Sequence, residues 1–229
     1  CSEAVAPPPP PDVVVADVRD EGACAGLVTE AVGIAGPELH GVVLNVGIGR
    51  GRGLEGTTVG DWDTVFAVNL RSHFLVAQAA APHVPAGGSF VFVSSVAGLQ
   101  PGSRSPAYDA SKAGIIGLTR ELASQWGRYG IRVNAVAPGF FASEMTAELG
   151  DDPEKFPDFL LARTPLGRGG RAGELDEAVL FLLSAGSSFA AGLSGPGRVQ
   201  SVAARIVSPS IREKASSIVA AAPPAAMRL

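Results

Sequence analysis

Cysteine is scarce in this chain of 229 residues: there are two, Cys1 and Cys24. Their spacing matches no metal site and builds no disulfide framework, which suits a reducing compartment. The three histidines, His40, His73 and His83, form no H-E-x-x-H pair, which argues against a zinc hydrolase. Basic residues are also few. Lysine and arginine number 18 against 22 acidic residues, a net charge of −4, so the basic footprint of a nucleic-acid binder is missing. No apolar run reaches the length of a membrane span, and no basic amphipathic stretch suggests a membrane surface. The opening residues carry neither the basic flank nor the apolar core of a secretory signal. These absences predict a cytoplasmic protein with no metal and no nucleic-acid or membrane partner.

What remains is the composition of one globular domain, 46% hydrophobic and long enough to bury a core. Residues 1–11 are small and proline-rich and are expected to form an extended spacer outside the domain. A Cys at the start of such a spacer also fits a lipid-modified mature chain; a cut or misread start is the plainer reading. The domain is expected over residues 12–190. Residues 191–229 are rich in Ala, Ser, Pro and Gly, show no clear strand, and are expected to be an irregular tail.

Within the domain, apolar runs of strand length alternate with helical patterns. Val13–Val18, Gly41–Val46, Ser89–Ser94 and Ile131–Val136 read as buried strands. Glu21–Ile34, Asp61–His83, Ser105–Trp126 and Glu174–Ser184 read as helices, the third opened by a capping Ser105 before Pro106. Short helices are expected near Ser143–Leu149 and Pro153–Arg163. This alternation predicts an α/β fold, a parallel sheet covered on both faces. Chemistry in such sheets gathers at the carboxyl ends of the strands. The loops at Asn45–Gly53, Ser94–Ser105 and Pro138–Gly170 are therefore the ones to watch.

Tyr108 and Lys112 stand four apart in the third helix, in the segment YDASK, and so share a helical face. An ammonium there can favour the phenolate and lower the tyrosine pKa. A tyrosine so tuned can give or take the proton of an alcohol–ketone interconversion. The chain holds two Tyr and three Lys, so this spacing arises by chance roughly 3% of the time; the surrounding residues decide its meaning. Ser95 closes the strand just upstream and is placed to hold a substrate oxygen; alone it reads as a turn serine. Asn69 sits inside the second long helix, where an amide is a mediocre helix former. It reads as the anchor of a water leading to Lys112, or as a satisfied core amide. A serine hydrolase built on Ser95 is set aside, because the segment is V-S-S-V-A-G rather than G-x-S-x-G and no histidine follows it.

The segments ADV (Ala16–Val18), VNL (Val68–Leu70), SSVAG (Ser94–Gly98), YDASK (Tyr108–Lys112), GIRVNAVAPG (Gly130–Gly139) and LFLLS (Leu180–Ser184) come in the order of one family. By these the chain resembles the short-chain dehydrogenase/reductases over about Val13 to Ser188. The resemblance implies a Rossmann-like, doubly wound parallel sheet. It implies an oxidoreductase that uses NAD or NADP to interconvert an alcohol and a ketone, or a 3-oxoacyl thioester. Tyr108 is then the acid/base, Lys112 lowers its pKa and holds the nicotinamide ribose, Ser95 orients the substrate, and Asn69 anchors the relay water. Asp17 and Val18 resemble the positions beside the adenine, and Asn45 and Gly47 lie along the cofactor. Pro138, Gly139 and Ser143 resemble the PGxxxT stretch that meets the carboxamide. Leu99, Phe140, Phe141 and Met145 would line an apolar substrate pocket. The resemblance also implies a homo-oligomer, a dimer or tetramer, through the two long helices.

Three departures accompany the resemblance. No strand, glycine-rich turn and helix precede Val13, so the unit that cradles a pyrophosphate is lacking. The glycine-rich Gly47–Gly53, with Arg50 and Arg52, follows a later strand and does not replace it. The family's NNAG reads Asn45-Val46-Gly47-Ile48 here, and its last strand finds no match after Gly192. A sheet without its first strand–helix–strand unit is therefore expected, with two strands left unbridged. An inactive remnant, or a binding subunit without a phosphate loop, is the alternative to an active enzyme.

Overall fold

In the computed structural model, the described residues are 13–51, 53–143, 145–146 and 157–192. The expected spacer, the tail beyond 192, Arg52, and parts of the two short helices after Ser143 (144, 147–149 and 153–156) lie outside them.

Three parallel strands form the sheet: β1 (Gly41–Leu44), β2 (Ser89–Val93) and β3 (Arg132–Val136), in the order β1-β2-β3. Gly41 lies opposite Ser89, and Ser89 opposite Arg132, so the carboxyl ends finish level. All five residues of β2 are buried, as a central strand covered on both faces requires. The sheet and its helices make an α/β Rossmann-like layer structure, as the alternation predicts.

Helix α1 (Glu21–Ala35) begins where Asp20 accepts from the Ala23 amide. Its Cys24, Leu27 and Val28 join Val42, Phe90, Phe92 and Ile115 in the main core. Helix α2 (Val59–Phe66) starts two residues before the expected point. Thr58 and Asp61 close a reciprocal capping box there. A π-helical turn (Ala67–Arg71) joins α2 to α3 (Ser72–Ala80). Helix α4 (Pro106–Trp126) matches its expected span. A single turn, α5 (Asp158–Leu161), precedes α6 (Asp176–Leu183). The guanidinium of Arg132 donates to the carbonyls of Leu182 and Ser184 and to Ser187, tying the end of α6 to β3.

Two expectations are corrected. Val13–Val18 is not a strand of the described sheet. It runs extended, with Val13 and Val15 exposed and Val18 buried. Val15 makes a single β-bridge, but no ladder extends from it among the described residues. Ser105 stands at the N-cap of α4, but its hydroxyl makes no capping bond and donates instead to the Arg50 carbonyl at 2.7 Å, joining the α4 entrance to the loop after β1. Among the described residues no helix is long and apolar enough to cross a membrane, and no cluster of ligating side chains fits a metal ion.

Candidate active site

The site forms at the carboxyl ends of β1 and β2, where α4 crosses them. Two features bring α4 this close. Ser94, just past β2, donates to the carbonyl of Lys112 at 2.7 Å. Gly98 lies flat against the same turn: a Cβ there would come within 2.6 Å of the Lys112 carbonyl carbon. Only glycine permits that approach. The SSVAG segment therefore works as a mount for the helix that carries Tyr108 and Lys112.

Lys112 is 3% exposed, and its Nζ donates to the Val93 carbonyl at 2.9 Å. Burial lowers its pKa to about 8. The same Nζ lies 5.7 Å from the centroid of the Tyr108 ring. Ser95 reaches Tyr108 by a side-chain hydrogen bond and also accepts from the Ala97 amide at 3.1 Å. Tyr108, Lys112 and Ser95 thus share one cleft. The phenol, however, is not acidified here. Burial pushes its pKa up, the Ser95 hydrogen bond pulls it down, and the Asp109 charge pushes it up further. With Nζ 5.7 Å from the ring centroid, the Lys112 ammonium does not offset this effect of burial.

Asn69 is completely buried inside the π-helical turn. Its Oδ1 accepts from the Ile48 amide at 2.8 Å, and its Nδ2 donates to the Ile48 carbonyl at 2.9 Å. The second Nδ2 hydrogen goes to Ser111 Oγ at 3.0 Å. Both amide hydrogens are used. The side chain therefore grips the loop after β1. A π-turn inserts an extra residue and often marks a functional position; here it turns Asn69 onto the loop after β1.

Ser111 escaped the reading of the sequence. It lies within YDASK, donates to the Tyr108 carbonyl at 2.8 Å and accepts from Asn69, so it links the two helices. Its spacing from Tyr108, one helical turn, was the available signal.

Gly47 faces the cleft; a Cβ there would lie 3.2 Å from Lys112 Nζ and 3.6 Å from Asn69 Oδ1. Asn45 is exposed at the mouth. Pro138 accepts from the Val96 amide at 3.0 Å, which brings the loop after β3 to the end of β2, with Gly139 exposed beside it. Ser143 is exposed and turned to Thr146, which accepts from its amide. Asp17 is held by Arg19 through paired hydrogen bonds, which lower its pKa to about 2. The Val18 side chain is core, and its carbonyl accepts from Cys24. The structure therefore gathers Asn69, Ser95, Tyr108, Lys112 and Gly47, and leaves Asp17, Asn45, Gly139 and Ser143 toward solvent. Of the expected apolar lining, Leu99 and Met145 are exposed, while the Phe141 ring packs against Gly170.

These residues fit the nicotinamide riboside end of a dinucleotide: a bare glycine, an ammonium and a phenol converge on one cleft. The pyrophosphate end finds no match among the described residues.

Comparison with known proteins agrees with this architecture. The family model described as Enoyl-(Acyl carrier protein) reductase matches residues 2–194. Gluconate 5-dehydrogenase of Gluconobacter oxydans is 39% identical over 180 residues, 78% of this chain and 70% of that protein. The 3-oxoacyl-[acyl-carrier-protein] reductase FabG of Thermotoga maritima is 40% identical over 192 residues, 83% of this chain and 76% of that one. A gluconate 5-dehydrogenase from Burkholderia cenocepacia, solved with NADP and tartrate, superposes with a TM-score of 0.70 at 35% identity, covering 77% of this chain and 69% of that one. The chain belongs to the short-chain dehydrogenase/reductase family of oxidoreductases.

Proposed function

We propose that this chain transfers a hydride between NAD or NADP and a small alcohol or ketone, with Tyr108 exchanging the substrate proton. The observation that carries this is the shared cleft of Tyr108, Lys112 and Ser95. Bound nicotinamide supplies the hydride or takes it up. Ser95 and Tyr108 hold the substrate oxygen between them. With its pKa raised, the phenol is protonated at neutral pH and donates to that oxygen in the direction of reduction. Lys112, charged near neutrality, supplies the positive field beside the developing phenolate and a hydrogen-bond donor for a ribose hydroxyl. Asn69, through Ile48, keeps the loop after β1 closed over Lys112. Asp17, Val18, Asn45, Gly47, Pro138, Gly139 and Ser143 are the further candidate cofactor contacts, beside Tyr108 and Lys112. The names of the relatives favour a hydroxy acid or a 3-oxoacyl thioester as substrate class.

A second reading is a fold that keeps the cleft but does not bind dinucleotide. Titration of the purified chain with NADH and NADPH, followed by nucleotide fluorescence, separates the two. Saturable binding together with turnover of a 3-oxoacyl or keto-acid substrate supports the enzyme. No binding at millimolar nucleotide supports the remnant. The domain is assigned to residues 12–190, in the cytoplasm. Trp62 and Phe74 are part-exposed on α2 and α3 beside α4, and this surface is assigned to a homodimer contact. A monomer by light scattering overturns that assignment.

A further inference from the structure

His73 is 1% exposed, one of the larger fully buried side chains, and no step proposed above uses it. A buried imidazole needs partners for its nitrogens. Its Nε2 lies 3.1 Å from the carbonyl oxygen of Leu44, the last residue of β1. A carbonyl can only accept, so Nε2 carries the proton and donates. Nδ1 faces Ser72 Oγ at 3.3 Å, and that hydroxyl is itself tied to the Val68 carbonyl at 2.5 Å. The ring lies against Phe92 on the neighbouring strand, centroids 6.1 Å apart.

His73 stands four residues after Asn69, on the same helical face. Asn69 grips both backbone groups of Ile48. His73 grips the carbonyl of Leu44. Between those two points lie three residues, Asn45, Val46 and Gly47, and Gly47 is the one packed beside Lys112 Nζ. One helix face therefore holds both ends of a single short segment. We infer that His73 is a positioning residue, the second jaw of a clamp that fixes Asn45-Val46-Gly47 against Lys112 in the shape that receives nucleotide.

Only the last clause rests on the proposed function; the clamp itself does not need the nucleotide. An apolar residue at this position would fill the core but leave the Leu44 carbonyl without its side-chain partner. The ring also stays neutral, since burial and the nearby Lys112 charge lower its pKa to about 3. A neutral imidazole can serve as a fixed donor without titrating in the working range.

The test uses the full chain and three variants. His73→Phe keeps a ring and removes the donor. His73→Gln keeps an N–H that can reach Leu44. Leu122→Ala, a core truncation on α4, controls for lost stability alone. Amide hydrogen exchange is measured on the nucleotide-free proteins. The expected result is exchange at Asn45–Ile48 at least about tenfold faster in His73→Phe than in Leu122→Ala, with His73→Gln close to the parent. The Kd for NADH should rise at least about fivefold in His73→Phe and recover in His73→Gln. Unchanged local exchange in His73→Phe overturns the clamp, and so does His73→Gln behaving like His73→Phe. Faster exchange with unchanged Kd overturns the link to nucleotide. If the parent binds no nucleotide, the proposed function fails while the exchange result still decides the clamp.

Discussion

The Nζ of Lys112 lies over the ring of Tyr108 while its hydrogen bond goes to the carbonyl oxygen of Val93. Charge and phenol are neighbours, yet each is mainly governed by burial. Tyr108→Phe removes only the hydroxyl. Turnover should fall by roughly 10²–10⁴-fold, while nucleotide Kd should move less than about threefold. Steady-state kinetics and titration check this, and a Tyr108→Phe variant that retains full activity rules out the proposed acid/base.

The depressed pKa of Lys112 has a consequence for stability. Between about 8 and the ordinary 10.5, the unfolded chain holds a proton on this lysine that the folded chain has lost. Stability rises with pH wherever the unfolded state binds more protons. The contribution of Lys112 therefore becomes more favourable across that window, and its cost is greatest below it. Relative to Lys112→Met, the parent should gain stability from pH 8 to 10.5. Urea unfolding of both proteins over that range measures it, and parallel curves contradict the assignment.

For Tyr108 the sign is opposite at alkaline pH. Burial raises its phenol above the ordinary tyrosine value, so its phenolate absorbance should appear at higher pH than that of a free tyrosine. The difference titration between the parent and Tyr108→Phe isolates it from Tyr129. A phenolate forming near neutrality without nucleotide would mean that Lys112 sets the pKa after all.

Gly98→Ala places a methyl group against the backbone of Lys112 and Ala113. Overpacking of this kind costs about 1–3 kcal/mol, and a domain of this size loses roughly 2–4 °C in Tm per kcal/mol. Calorimetry should show that loss, with activity falling further than stability because α4 is pushed from its mount. An unshifted Tm would mean that the contact is not as close as described.

Ser111→Ala deletes the acceptor of Asn69 Nδ2 in a fully buried place. An orphaned buried N–H costs about 1–3 kcal/mol. Chemical denaturation should show that cost, with a rise in nucleotide KM larger than any change in kcat. A change in kcat alone would place Ser111 in the chemistry and not in support of the loop.

The sequence made some of this site legible and hid the rest for physical reasons. Tyr108 and Lys112 could be paired because a helix imposes its own spacing. The span of α1 could be read from its helical pattern. Strands β1 to β3 were visible as apolar runs, though each is shorter than its run. Asn69 was recognisable as a residue that matters, but not as a loop clamp: its partner Ile48 lies 21 positions away, and no local rule predicts that contact. The pKa direction of Tyr108 was also hidden, because proximity of charge is a property of spacing while desolvation is a property of the finished core. Val13–Val18 shows the same limit. Its apolar run suits a buried strand, yet a ladder depends on what lies alongside.

The surplus residue at Ala67–Arg71 constrains how this protein can vary. Side chains along the helix can be exchanged one at a time, but the number of residues between the Thr58 cap and Asn69 cannot. Deleting one would relax the turn to regular winding and swing Asn69, which sits within it, away from Ile48. Chain length, more than any single identity, is what this helix has to preserve.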